Sequence, residues 1–138
     1  MSFLGHLSLR PTLLIDAIAS GTSGLLLLVA ARPLAELFDL PAALLRASGA
    51  SMVPFIAFLV VLATRDVVSH LAVKLVVAFN LAWVAASVLL LVSGWVDPNG
   101  LGYAFVIAQA AAVALFAQLQ ATALSRESRS DEPDAVLA

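Results

Sequence analysis

The sequence predicts an all-α protein: an integral membrane four-helix bundle with a short outer interfacial amphipathic segment between helices 1 and 2. Three observations carry that expectation. The 138 residues are 62% hydrophobic and only 12% charged, with a mean hydropathy of +1.06, whereas a soluble domain is closer to half apolar and a quarter charged. The apolar residues gather into four runs, at about 12–31, 41–64, 70–94 and 101–124, each matching the roughly 20 residues that cross a hydrocarbon core about 30 Å thick. Clusters of proline, glycine and charge separate the runs where helices should stop.

The same composition excludes several functions. Seven basic and nine acidic residues give a net charge of −2, with no basic stripe of the kind that follows a phosphate backbone, so nucleic acid is not an expected partner. The absence of cysteine removes disulfides, thiol catalysis, iron–sulfur clusters and cysteine zinc sites. The spans fill nearly the whole chain and leave no room for a soluble catalytic domain.

Residues 1–11 form a short cytoplasmic leader containing His6 and Arg10, and Pro11 suits the first turn of the helix that follows. Val29-Ala30-Ala31 loosely fits a signal-peptidase site, but the apolar stretch exceeds the 7–15 residues of a signal core and contains Asp16. The helix is therefore read as an uncleaved span. Within it Asp16, Ser20, Ser23 and Gly24 recur at helical spacing and form one polar, small face. Ala17-Gly21 and Ser20-Gly24 are small-xxx-small pairs, which let a second backbone approach closely.

Residues 32–45, RPLAELFDLPAALL, hold Pro33, Pro41, Glu36 and Asp39 among leucines and Phe38. That stretch is too polar and too short to span, and its apolar residues fall on one side of an interfacial helix. The second span follows Pro41, with Asp39 as a candidate cap, and contains Pro54, which should bend it unless a neighbour such as Ser51 compensates. A short loop at Arg65–Ser69 makes the second and third spans antiparallel neighbours. In the third, Asn80, Trp83 and Ser87 share a face. Gly94-Trp95-Val96-Asp97-Pro98-Asn99-Gly100 is a dense turn signal flanked by the interfacial aromatics Trp95 and Tyr103. The fourth span carries an Ala104-Ala108-Ala112 stripe and the amides Gln109 and Gln118. Residues 125–138 read as a disordered, charged cytoplasmic tail.

Basic residues orient the bundle. With the N-terminus in the cytoplasm, Arg10, Arg65, Lys74, Arg126 and Arg129 lie on that side, against Arg32 and Arg46 outside. Both termini are then cytoplasmic. At 1.5 Å per residue, Asp16, Lys74 and Gln118 share a layer roughly 6–9 Å below the cytoplasmic boundary, which makes Asp16 and Lys74 a candidate ion pair. Asp16, Lys74, Asn80, Gln109 and Gln118 are the candidate buried polar residues, and Phe79, Asn80, Trp83 and Gln109 the candidate ligand pocket. His6 and His70 both lie near the cytoplasmic rim, no Ser-His-Asp set can be assembled, and no glycine pattern cradles phosphate. No catalytic residue, metal or cofactor is expected.

The order of a first span, an outer LAELFDLP segment, an LLRASGASMVPF opening of the second span, a paired third span and a GWVDPNGLGYAF turn before the fourth resembles small bacterial four-helix membrane proteins and is similar in layout to the DoxX-like group. The resemblance implies the fold, an inner-membrane location and an accessory role beside membrane redox complexes; no functional residue of that group is matched. The Asp16 position also resembles the first-helix carboxylate of small multidrug-resistance transporters, which implies proton-coupled export of cations, although those proteins carry Glu and shorter loops.

The expected function is that of a non-catalytic inner-membrane protein, an accessory or assembly partner of a larger complex or a homo-oligomer, with membrane lipids, other subunits or itself as partners. The alternatives are a proton-coupled exporter using Asp16 and a binder of an apolar ligand such as a quinone or lipid.

Overall fold

The computed structural model describes residues 8–137, with side chains through Arg129. It contains α1 (Leu9–Val29), α2 (Ala31–Phe38), α3 (Ala42–Thr64), α4 (His70–Val92) and α5 (Gly100–Leu137), and no strand among the described residues. Most of the leader, His6 included, lies outside them. Helices α1, α3, α4 and the Gly100–Arg129 part of α5 are each long and apolar enough to cross a membrane. Their outward faces carry exposed leucine, valine and isoleucine, such as Ile18, Leu25, Val61, Leu81, Leu89 and Ile107. In water such a surface would aggregate; in lipid it is the ordinary exterior.

The bundle is two hairpins side by side. Consecutive spans α1 and α3 pack along each other, as do α4 and α5, and the hairpins join mainly where α1 meets α5. The α1–α3 approach is set by two glycines: a Cβ on Gly49 would stand 2.8 Å from the Gly24 carbonyl oxygen, and one on Gly24 would stand 3.3 Å from Met52. Only hydrogen fits at Gly49. The expected small-residue contact in α1 is thus made at Gly24, while Gly21 faces open space.

Packing is layered along the axis. At the end nearer both termini, Leu9, Leu13, Leu59, Leu62, Val73 and Leu124 belong to one buried cluster. Arg10 closes that end by donating from its guanidinium to the Arg65 carbonyl (2.6 Å), and His70 stands 3.8 Å from Glu127. At the distal end Leu27, Phe38, Leu40, Leu45, Val96 and Val106 form a second cluster.

The interfacial segment is the helix α2, which ends at Asp39 in a left-handed conformation (φ 56°). Asp39 therefore terminates α2 and does not cap the next helix, whose N-cap is Pro41. Asn99 pins the end of α2: its Nδ2 donates to the Leu37 carbonyl (2.8 Å), its backbone N–H to that of Phe38 (3.2 Å), and its Oδ1 accepts from the Gly102 N–H (2.8 Å). Phe38 stacks on Phe105 with ring centroids 4.5 Å apart. Pro54 sits within an uninterrupted α3, and the Ser51 hydroxyl donates to the Ser48 carbonyl (2.8 Å), not to that of Ala50, which lacks a Pro54 partner.

Helix α5 runs past Ser125, where the sequence suggests a disordered tail. Arginine and glutamate lose little side-chain freedom in a helix, and Arg129 Nε donates back to the Ser125 carbonyl (3.5 Å). The side chains beyond Arg129 lie outside the described residues.

Candidate functional site

Between the two apolar clusters lie a polar layer and a cavity. The layer is built on Asp16, 1% exposed. Its Oδ2 accepts from Asn80 Nδ2 (3.0 Å) and from Gln120 Nε2 (2.7 Å), and its Oδ1 from Ser20 Oγ (2.9 Å). Asn80 Nδ2 also donates to Gln120 Oε1 (3.0 Å). A closed ring of three side chains ties α1, α4 and α5 together. Buried polar groups survive in an apolar medium only when paired in this way.

This arrangement corrects the expected partners of Asp16. Lys74 is exposed and lies along a shallow groove with Leu124, Ser125 and Arg129; among the described residues no cation pairs with Asp16. The reason is angular: Val73, Val76, Asn80 and Ser87 make the buried face of α4, and Lys74 is rotated away from it by about 100° per residue. Gln118 is likewise exposed, and the amide in the layer is Gln120, 0% exposed. The sequence did contain that signal. Counting from Gln109, Gln118 falls about 180° around the helix and Gln120 only about 20°.

Above the layer, a second polar cluster forms one wall of the cavity. Trp83 Nε1 donates to Gln109 Oε1 (2.8 Å), while Gln109 Nε2 donates to Ser87 Oγ (3.0 Å) and to the Val106 carbonyl (3.0 Å). Ser87 Oγ donates to the Trp83 carbonyl (2.8 Å). These bonds use both amide hydrogens and hold the indole in one orientation.

The cavity has a volume of about 230 Å³ and is walled by all four spanning helices, with Ser20 and Ser23 from α1, Ser48 and Met52 from α3, Trp83 from α4 and Phe116 from α5 among its lining. Of the expected pocket residues, Trp83 and Gln109 line it. Asn80 belongs to the Asp16 ring below. Phe79 lies elsewhere, stacked on Phe55 at 4.2 Å in a groove between α3 and α4. Ser20 joins the two features: it lines the cavity and donates to Asp16. No ionisable side chain contributes to the cavity wall, and no three His, Asp or Glu among the described residues cluster closely enough to hold a metal ion.

Comparison with protein families, with curated proteins and with solved structures found no match. The DoxX-like layout expected from the order of segments finds no support among them.

Proposed function

We propose that this protein is a bacterial inner-membrane bundle, with both termini cytoplasmic, that holds a small neutral molecule from the bilayer in the cavity between its helices and performs no chemistry of its own. The observation that carries the reading is the cavity's size and chemistry. A dry cavity of about 150 Å³ takes up benzene, and this one, at about 230 Å³, has room for a substituted ring or a short acyl segment. Its wall is apolar and aromatic, with a few fixed hydroxyl, amide and indole groups, the usual make-up of a small-molecule site.

The same wall argues against export of cations. A cationic substrate entering an apolar cavity needs a counter-charge, and Asp16 is buried behind Ser20 with its oxygens engaged by neutral donors. A simple test exists. Protein purified in mild detergent is extracted with organic solvent, and the co-purifying molecules are identified by mass spectrometry. The account expects one neutral species near stoichiometry, depleted in Ala112→Phe, which fills the cavity. Equal recovery from both forms would reject the cavity as the site.

A second reading, an accessory or self-associating subunit, draws on Gly21, which faces open space, and on Ala104 and Ala108, which are exposed on α5. Small residues on a lipid-facing surface let another helix approach. The same purification tests it, since partner subunits or a second copy would co-migrate.

A further inference from the structure

The cavity is closed at both ends of the bundle but not at its side. Toward the termini, its floor is the Asp16–Asn80–Gln120 ring over the tightly packed cluster around Leu13 and Leu59. At the distal end, α2 lies across the opening, held by Asn99 and by the Phe38–Phe105 stack. A solute from either aqueous phase would have to break one of these seals.

Between α3 and α4 there is no comparable seal. These two helices are not packed along their length and meet at the Phe55–Phe79 stack, level with the floor. Distal to it, a groove of about 540 Å³ runs along the outside of the bundle between them, lined by Ala86, Leu89, Ser93 and Trp95. Five residues, Leu44, Ser48, Trp83, Ser87 and Leu90, line both the groove and the cavity. The two spaces share a wall and face the lipid.

The junction also carries a polar group without a partner. Trp83, Gln109 and Ser87 satisfy one another, whereas the Ser48 hydroxyl has no hydrogen bond among the described residues, and neither has that of Ser23 on the exposed α1 side of the cavity. In hydrocarbon an unpaired hydroxyl is unfavourable. A hydroxyl can donate to a carbonyl or ether oxygen that passes it.

Resting on the cavity reading above, we infer that the occupant is a neutral, lipid-dissolved molecule bearing a hydrogen-bond acceptor, and that it reaches the cavity laterally through the α3–α4 groove, past Ser48. Access from the bilayer suits such a molecule because it never leaves an apolar phase until its acceptor meets the serine hydroxyls. Trp83 then forms one side of the passage and stays in place because Gln109 holds its indole.

Benzophenone, a neutral aromatic ketone that cross-links on illumination, is the probe. In nanodiscs, labelled peptides are mapped by mass spectrometry in the wild type, in Ala86→Trp and in Ala112→Trp. Ala86 lines the groove but not the cavity, so Ala86→Trp obstructs the passage and leaves the site intact. The expected result is labelling at Met52 in the wild type, reduced about tenfold in Ala86→Trp at equal thermal stability. Full labelling of Met52 in Ala86→Trp would overturn the lateral route while leaving the cavity reading in place. Ala112→Trp, which fills the cavity itself, should lose the Met52 labelling whatever the route, and full labelling there would remove the cavity reading. Absence of Met52 labelling in the wild type itself would remove the cavity reading. A third variant, Ser48→Ala, should weaken labelling by the ketone more than competition by diphenylmethane, which has no acceptor; equal effects would refute the role of the hydroxyl.

Discussion

Replacing Asp16 by leucine takes away the acceptor on which two other helices depend, and leaves the Asn80 and Gln120 amides with only each other. Each interhelical hydrogen bond in a membrane protein contributes about 0.6 kcal/mol on average, and a stranded buried partner adds about 1–3 kcal/mol. Asp16→Leu should therefore lower thermal stability in detergent by about 1–3 kcal/mol. Asp16→Asn should cost less, because one amide oxygen can still accept from Asn80 and Gln120 while the Ser20 hydroxyl turns to accept. Lys74→Met should be silent in either background, since Lys74 is exposed. Compensation of Asp16→Asn by Lys74→Met would restore the ion pair that the depth argument suggests. Depth along each helix puts Lys74 and Gln118 in the layer of Asp16, but the angle around each helix decides which side chains reach it, and that brings in Asn80 and Gln120. Asn80 was legible as a polar member of an inward face, and Gln120 would have been found by the same periodicity.

At the scale of elements, the helix boundaries were readable because apolar runs and their breakers are local properties. The Gly24–Gly49 contact was only half readable. Small-xxx-small spacing marks Ala17-Gly21 as strongly as Ser20-Gly24, yet which pair meets a neighbour depends on how the helices cross. Two glycine variants make the distinction measurable. Gly49→Ala should destabilise the bundle by about 1–3 kcal/mol through overpacking, because its Cβ would stand 2.8 Å from the Gly24 carbonyl oxygen. Gly21→Ala, with nothing within 4 Å, should be neutral or stabilise by up to about 1 kcal/mol. Equal losses at the two sites, measured by thermal unfolding, would refute the close approach. The seal formed by α2 has its own test. Asn99→Ala removes the side-chain bonds to Leu37 and Gly102, and hydrogen exchange should accelerate over residues 37–40 while staying unchanged in α4.

For the whole molecule, four long apolar helices account for a multi-pass topology, and the proposed orientation, with both termini cytoplasmic, rests on the placement of Lys and Arg. Reporter fusions after Ser125 and within Asp66–Ser69 should report cytoplasm, and one within Pro98–Gly100 the outer side; the reverse pattern would invert the orientation while leaving the packing untouched. The cavity itself was not legible in the sequence. It lies where two tightly packed hairpins do not close on each other, and no local pattern encodes such a gap.

The most direct measurement is a fluorescence titration of Trp83, made the sole indole by Trp95→Phe, in nanodiscs. Trp83 lines the cavity and reports whatever enters it. Duroquinone, neutral and bearing carbonyl acceptors, should quench with a saturable isotherm that Ala112→Phe abolishes and Asp16→Asn leaves largely intact. Tetraphenylphosphonium, a lipophilic cation, should give no saturable change. A saturable response to the cation that vanishes in Asp16→Asn would contradict the account and make this carboxylate the centre of a cation site.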